Sequence, residues 1–183
     1  MNDFFTVLIL NRETLYYTYF ISFCLNPEQA SKVTLQPITR YKFDAAILFS
    51  DILMVPWALQ RNVRFKPNIG PLLDPMDGPK AIKQSLINDV PHKLAAVGQA
   101  LRLTKLNLPT GKALIGFAGA PWTVMTYMAE GGSSRDFAIA REWAWKYPKQ
   151  VDALLGSLIE STISFLSLQA SAGADALMLF DSW

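Results

Sequence analysis

Three apolar runs in this sequence each end in residues able to do chemistry. Phe43–Ser50 (FDAAILFS) leads into Asp51, Ala113–Gly119 (ALIGFAG) into Ala120, Pro121 and Trp122, and Asp175–Phe180 (DALMLF) into Asp181 and Ser182. An ionised aspartate only accepts hydrogen bonds. At the end of a strand Asp51 is therefore either an anion facing a ligand or the N-cap of the following ILMVPWALQ segment. Ser182 taken alone is a turn or N-cap serine. Tyr127, in WTVMTYM, taken alone is a core aromatic on a helix, with a hydroxyl that can donate a hydrogen bond.

Other chemistries find little support. No GxGxxG or GxxxxGK[ST] follows any of the runs, which weighs against nucleotide binding. Cys24 is the single cysteine, so an intrachain disulfide and a CxxC site are excluded, and a reducing cytosol is the natural compartment. One Cys and one His, His92, cannot supply a zinc site, and His92 reads as a surface or helix-start residue. Glycines that end a helical run form left-handed caps more often than anion loops, so Gly131–Ser134 (GGSS) reads as a helix C-cap. Trp57, Trp122, Trp143, Trp145 and Trp183 read as packing residues, because none is interleaved with basic residues as a nucleobase-stacking surface requires.

The elements that must position these residues follow from composition and period. Of 183 residues, 51% are hydrophobic and 17% charged, enough to bury a sizeable core in one domain spanning 1–183. The net charge of +2 is a mild basic bias with no Lys/Arg tract for nucleic acid. Asp3 stands where a signal peptide needs a positive flank, and charges or prolines interrupt the long apolar stretches, so neither secretion nor a membrane span is expected.

The three short, nearly continuous apolar runs predict buried strands of a parallel sheet. Pro148–Ala172 predicts a helix opened by Pro148 and closed by Gly173, burying Val151, Leu154, Leu155, Leu158, Ile159 and Thr162. A second helical region runs from Pro79 to about Leu106, broken near Pro91, with Leu94, Val97 and Leu101 inward. Lys66–Lys80, rich in Pro and Gly, predicts a long surface loop of the kind that serves a site. Alternating strands and helices give an α/β class, either an open layer or a barrel with its ligand face at the carboxyl ends of the strands. A full barrel takes roughly 250 residues, and three strands cannot close one. The chain therefore reads as truncated at its C-terminal end.

The runs AAILFSDIL (Ala45–Leu53), APWTVMTYMAEGG (Ala120–Gly132) and ALMLFDSW (Ala176–Trp183), in that order and spacing, resemble the uroporphyrinogen decarboxylase family. The likeness begins near Arg12 and is strong through Cys24–Leu53. It implies a TIM-type (β/α)8 barrel, present here as an incomplete barrel with parallel strands. It also implies a cytoplasmic homodimer that removes carboxylate from the four acetate side chains of uroporphyrinogen III to give coproporphyrinogen III, without cofactor or metal. The substrate partner is a tetrapyrrole, with no nucleic acid and no membrane.

By the same resemblance Asp51 is the buried carboxylate that stabilises the cationic pyrrole. Tyr127 presents its hydroxyl to a substrate carboxylate, and Ser182 contacts a propionate or acetate. The sequence departs from the family before Arg12: an arginine-rich RQAGR segment is expected there, and MNDFFTVLIL stands in its place. Arginine recognises carboxylates in a two-pronged way, so binding of a substrate with eight carboxylates is expected to suffer. The later strands and a family histidine are also missing. Two further readings follow: a catalytically inactive truncated fragment, and a half-barrel that aggregates or docks to a partner through its open edges.

Overall fold

The computed structural model describes residues 16–66 and 70–182. Ahead of the first strand lie two helices, α1 (Tyr16–Cys24) and α2 (Pro27–Tyr41). Asn26 caps α2 by accepting the Gln29 N–H at 3.0 Å, and Pro27 occupies the first helical position, where a missing N–H costs nothing. Lys42 ends the helix in the left-handed region at φ 54°. The chain then enters β1 (Ala45–Ile47), followed by a single short helix, α3 (Met54–Ala58).

After α3 the sequence-based expectation needs correction. Gly70–Leu73 is not loop but a strand, β3, paired antiparallel with β2 (Val63–Lys66). Prolines and glycines masked it, yet Pro71 can sit in a two-stranded ribbon because one side of each strand needs no partner. The helical region also differs: α4 (Gln84–Lys93) starts later than Pro79 and runs through Pro91, and the break falls at Leu94, before α5 (Ala95–Asn107). Leu94, Val97 and Leu101 are buried as the periodicity requires.

The rest alternates cleanly: β4 (Ala113–Gly119), α6 (Pro121–Glu130), α7 (Ala138–Lys146), α8 (Pro148–Ser171) and β5 (Ala176–Phe180). Pro148 opens α8, and Gly173 follows its last turn at φ 102°. Val151, Leu154, Leu158 and Thr162 are buried, whereas Ile159 is 47% exposed. The buried stripe shifts instead to Ser157, Ser161, Phe165 and Gln169. In length and apolarity α8 could cross a membrane, but it packs against α4, α6, β4 and β5 as the central helix of this core.

The three expected strands lie side by side in one parallel sheet, ordered β1-β4-β5, with Ala45 opposite Ala113 and Ile115 opposite Ala176. One face, with Ala46, Leu48, Leu114 and Ala118, is buried under α2, α5 and α8. The other face carries Ile47, Ile115, Phe117, Met178 and Phe180, and it would line the inside of a barrel. Among the described residues the barrel does not close. Trp145 corrects another expectation, being 88% exposed, while Trp143 is buried; Trp183 lies outside the described residues.

Candidate functional site

Asp51 stands four residues beyond the last paired position of β1, half-buried, and its Oδ1 accepts the Leu53 N–H at 2.7 Å. The carboxylate thus closes a local turn through one of its two oxygens. Burial pushes its pKa up to about 6, against the lowering effect of the Leu53 hydrogen bond. At neutral pH the group is still an anion, held in surroundings that oppose its charge.

Two other side chains feel that charge. Tyr127, on α6, is partly buried; burial first and the Asp51 carboxylate second raise its pKa, while a hydrogen bond with Ser133 lowers it. The phenol therefore stays protonated and available to donate. Cys24, at the end of α1, is buried, and the same two causes hold its thiol far above the usual range, so it is inert. Three elements distant in sequence converge here: α1, the turn after β1, and α6.

Backbone fit explains the convergence. A Cβ on Gly119 would lie 2.7 Å from Val124 Cγ2 and 2.9 Å from Ile52 Cβ, so only glycine lets the end of β4 sit this close to α6 and to the turn that holds Asp51. At its far end α6 stops on Gly131, left-handed at φ 78°, with the Gly131 N–H donating to Tyr127 O at 2.9 Å. That is the expected C-cap. Gly131 O accepts the Leu73 N–H at 2.9 Å, and Leu72 bridges to Gly132, so the β2–β3 ribbon is docked against the end of α6 beside Tyr127. Of the Lys66–Lys80 segment, Gly70–Leu73 is thus a ribbon strand against the end of α6, whereas 74–80 is loop as expected.

Ser182 is exposed just past β5, where its N–H donates to Thr123 Oγ1 at 3.0 Å. The same hydroxyl donates to Asp181 Oδ1 at 2.7 Å. Thr123 and Tyr127 are four residues apart and share a face of α6. Asp51, Tyr127 and Ser182 therefore all stand toward the carboxyl ends of the parallel strands, with the Asp51 charge felt at Tyr127.

A cavity of about 600 Å³ runs beside β1, with Val33, Pro37, Ile47, Ser50, Phe117 and Phe180 among its lining residues; Asp51, Tyr127 and Ser182 do not line it. The Ser50 Oγ is buried with no hydrogen-bond partner. Sequence reasoning assigns no site role to three residues near these groups: Ser50, Ser133 and Thr123. The first was legible as the polar end of an apolar strand, and Thr123 as a threonine in the first turn of a helix; nothing local marked Ser133 beyond its place in GGSS. His92 makes only an exposed contact with Asp89, at 3.5 Å in the last turn of α4. Among the described residues no three His, Cys, Asp or Glu side chains are grouped to hold a metal ion. Arg12 and the segment before it lie outside the described residues.

Parallel strands, covering helices on one face and polar residues gathered at the strands' carboxyl ends define part of an α/β protein of the (β/α)8-barrel class. The model of the uroporphyrinogen decarboxylase (URO-D) family matches residues 2–183, and the chain belongs to that family. It is 47% identical over 164 residues to uroporphyrinogen decarboxylase of Rhodospirillum rubrum, an overlap covering 90% of this chain and 47% of that protein. The Maricaulis maris enzyme gives the same figures, and that of Caulobacter vibrioides is 48% identical over 90% of this chain and 46% of its own length. The chain thus spans about half the length of the curated relatives it matches. A solved methyltransferase structure from Methanosarcina mazei superposes with a TM-score of 0.70 at 16% identity, covering 96% of this chain and 49% of that one. At that identity the likeness is one of fold.

Proposed function

We propose that this chain carries the substrate-facing half of a cofactor-free, cytoplasmic decarboxylase that converts uroporphyrinogen III to coproporphyrinogen III. The observation that carries the reading is Asp51: an anion kept in unfavourable surroundings past the end of β1, close enough to raise the Tyr127 pKa, with an apolar cavity along that same strand. A cationic ligand would relieve the penalty that raises its pKa.

The chemistry of the acetate arms asks for such an anion. A pyrrole ring protonated on carbon becomes an electron sink; the bond to the carboxylate breaks, carbon dioxide leaves, and its electron pair neutralises the ring. Protonation of the exocyclic carbon then gives the methyl group, and loss of the proton first added to the ring carbon restores the neutral pyrrole. Asp51 accepts hydrogen bonds from pyrrole N–H groups and stabilises the ring cations that precede carbon dioxide loss and follow methyl formation. The Tyr127 hydroxyl donates to a carboxylate of the substrate, and the Ser182 hydroxyl to a propionate or acetate. The apolar walls Ile47, Phe49, Phe117 and Phe180 suit pyrrole faces. No residue in this scheme needs a metal or cofactor, and the relatives' names support the tetrapyrrole as substrate.

Coproporphyrinogen formed from uroporphyrinogen by the purified chain, and lost with Asp51→Asn, is the expected result; formation undiminished by that substitution would overturn the assignment of Asp51. A second reading has its own observation. Leu177, Met178 and Leu179 of β5 are 42–50% exposed, so both faces of that strand are only partly covered, α8 packing against it notwithstanding. In this reading the chain alone is inactive and gains a site only on associating through β5, with another copy or with further strands of the same barrel.

A further inference from the structure

One buried hydroxyl joins the end of β5 to the helix that carries Tyr127. Thr123 is 1% exposed in the first turn of α6, and its Oγ1 has two partners beyond its own helix. It donates to Asp181 Oδ1 at 2.7 Å and accepts the Ser182 N–H at 3.0 Å. A hydroxyl has one proton, so the direction of each bond is settled: the carboxylate takes the proton and the amide uses a lone pair. The Ala120 N–H donates to Phe180 O at 2.8 Å, which fixes the last residue of β5 and not the residues after it. Asp181 and Ser182 themselves are exposed and contribute no core packing.

We propose that Thr123 is a positioning residue that sets where the Ser182 hydroxyl stands relative to Tyr127. The inference rests on the proposed role of Ser182 as a substrate contact. The geometry supports a device of this kind and not a mere helix cap, because both partners of the hydroxyl lie 58 and 59 residues away in sequence. A side chain that only capped α6 would bond to that helix's own first-turn amides. Asp181 adds a second element: its carboxylate sits against the N-terminal turn of α6, where the helix dipole favours an anion, so the pair is held by charge as well as by the hydroxyl. Valine in place of Thr123 keeps the shape and loses both bonds; serine keeps both.

The test uses the full chain, ¹⁵N-labelled, with Thr123→Val, Thr123→Ser and Ser182→Ala. Amide hydrogen exchange at Ser182 should quicken by about tenfold or more in Thr123→Val and stay native in Thr123→Ser, while the Ala120 amide stays protected in both. Should Thr123→Val not fold, Asp181→Ala, at an exposed position, should loosen Ser182 in the same direction. Coproporphyrin III, followed by tryptophan quenching, should bind about tenfold more weakly to Thr123→Val and to Ser182→Ala, with no further loss when the two are combined. Unchanged exchange at Ser182, or loosening of Ala120 and the whole of α6 together, would overturn the inference. So would coproporphyrin binding that is native in Thr123→Val but weakened in Ser182→Ala. If the unsubstituted chain binds no coproporphyrin, the proposed function fails, and the exchange result still decides whether Thr123 holds Ser182.

Discussion

Gln169 stands in for a β-strand next to Phe117. Its side-chain amide accepts the Phe117 N–H and donates to the Phe117 carbonyl, both at 2.8 Å. Along β4, Ala113 and Ile115 bond toward β1, and Leu114 and Ala120 toward β5, so the backbone of Phe117 also faces β1. By that level β1 has left the sheet on its way to Ser50 and Asp51, and its last bond is Leu48 N–H to Ile115 O. The amide of a buried helix residue fills the place that β1 has left. Gly116 makes room, since a Cβ there would lie 2.5 Å from Gln169 Oε1.

Gln169→Leu should therefore be among the most destabilising substitutions in the chain. It leaves a buried N–H and a buried C=O without partners, each costing about 1–3 kcal/mol. A loss of about 2–5 kcal/mol in urea unfolding is expected, with Gly116→Ala falling in the same range through steric conflict with Gln169. A Gln169→Leu protein that unfolds at the native midpoint would show that the amide pair contributes nothing.

Asp51 should make stability depend on acid in an unusual direction. Its folded pKa of about 6 lies above the 3.8 of a free aspartate, so between those values the folded protein binds the proton more tightly than the unfolded chain. The contribution is fully present below about pH 4, falls as pH rises to about 6, and is flat beyond. Two pKa units correspond to at most about 3 kcal/mol. Unfolding measured at pH 4.5 and pH 7.5 should show this slope in the native chain and its absence in Asp51→Asn, whose side chain still accepts the Leu53 N–H. Parallel pH slopes in the two proteins would contradict the burial of the charge.

Tyr127 and Asp51 should titrate as neighbours. Because the carboxylate helps to hold the phenol protonated, Asp51→Asn should lower the pH at which Tyr127 ionises, read as the ultraviolet difference against Tyr127→Phe. A hydrogen bond to a charged group is worth about 1.5–3 kcal/mol. Tyr127→Phe should accordingly weaken coproporphyrin III binding by about tenfold or more, while thermal unfolding moves little, the ring being retained. A phenol that ionises at the same pH in both backgrounds would separate the two residues.

The strands were legible because each is a continuous apolar run, and Ala113–Gly119 is matched to the residue. The α8 helix was legible through Pro148, Gly173 and its period, though Ile159 was assigned inward and faces out. What stayed hidden has a common physical cause. The β2–β3 ribbon exists through pairing with a segment rich in Pro and Gly, the pairing of the Phe117 backbone through Gln169, and the hold on Ser182 through Thr123; all are contacts between residues far apart in sequence. Local period carries no trace of them. Asp51, Tyr127 and Ser182 were found through the resemblance, since their own neighbourhoods suggested a cap, a core aromatic and a turn.

The partly covered strand β5 gives the last expectation. Leu177 and Leu179 point to the side of the sheet that elsewhere lies under helices, and both are about half exposed, as are Ile159 and Ile163 one helical turn apart on neighbouring α8. Four such side chains near one edge form an apolar surface of the kind that drives association. The chain should therefore sediment as a concentration-dependent oligomer. Leu177→Asp with Leu179→Asp should shift it toward monomer while changing stability by less than about 1 kcal/mol, because exposed side chains contribute little packing. A native chain that remains monomeric at high concentration would remove this strand as the route of association, and with it the reading in which the site is completed there.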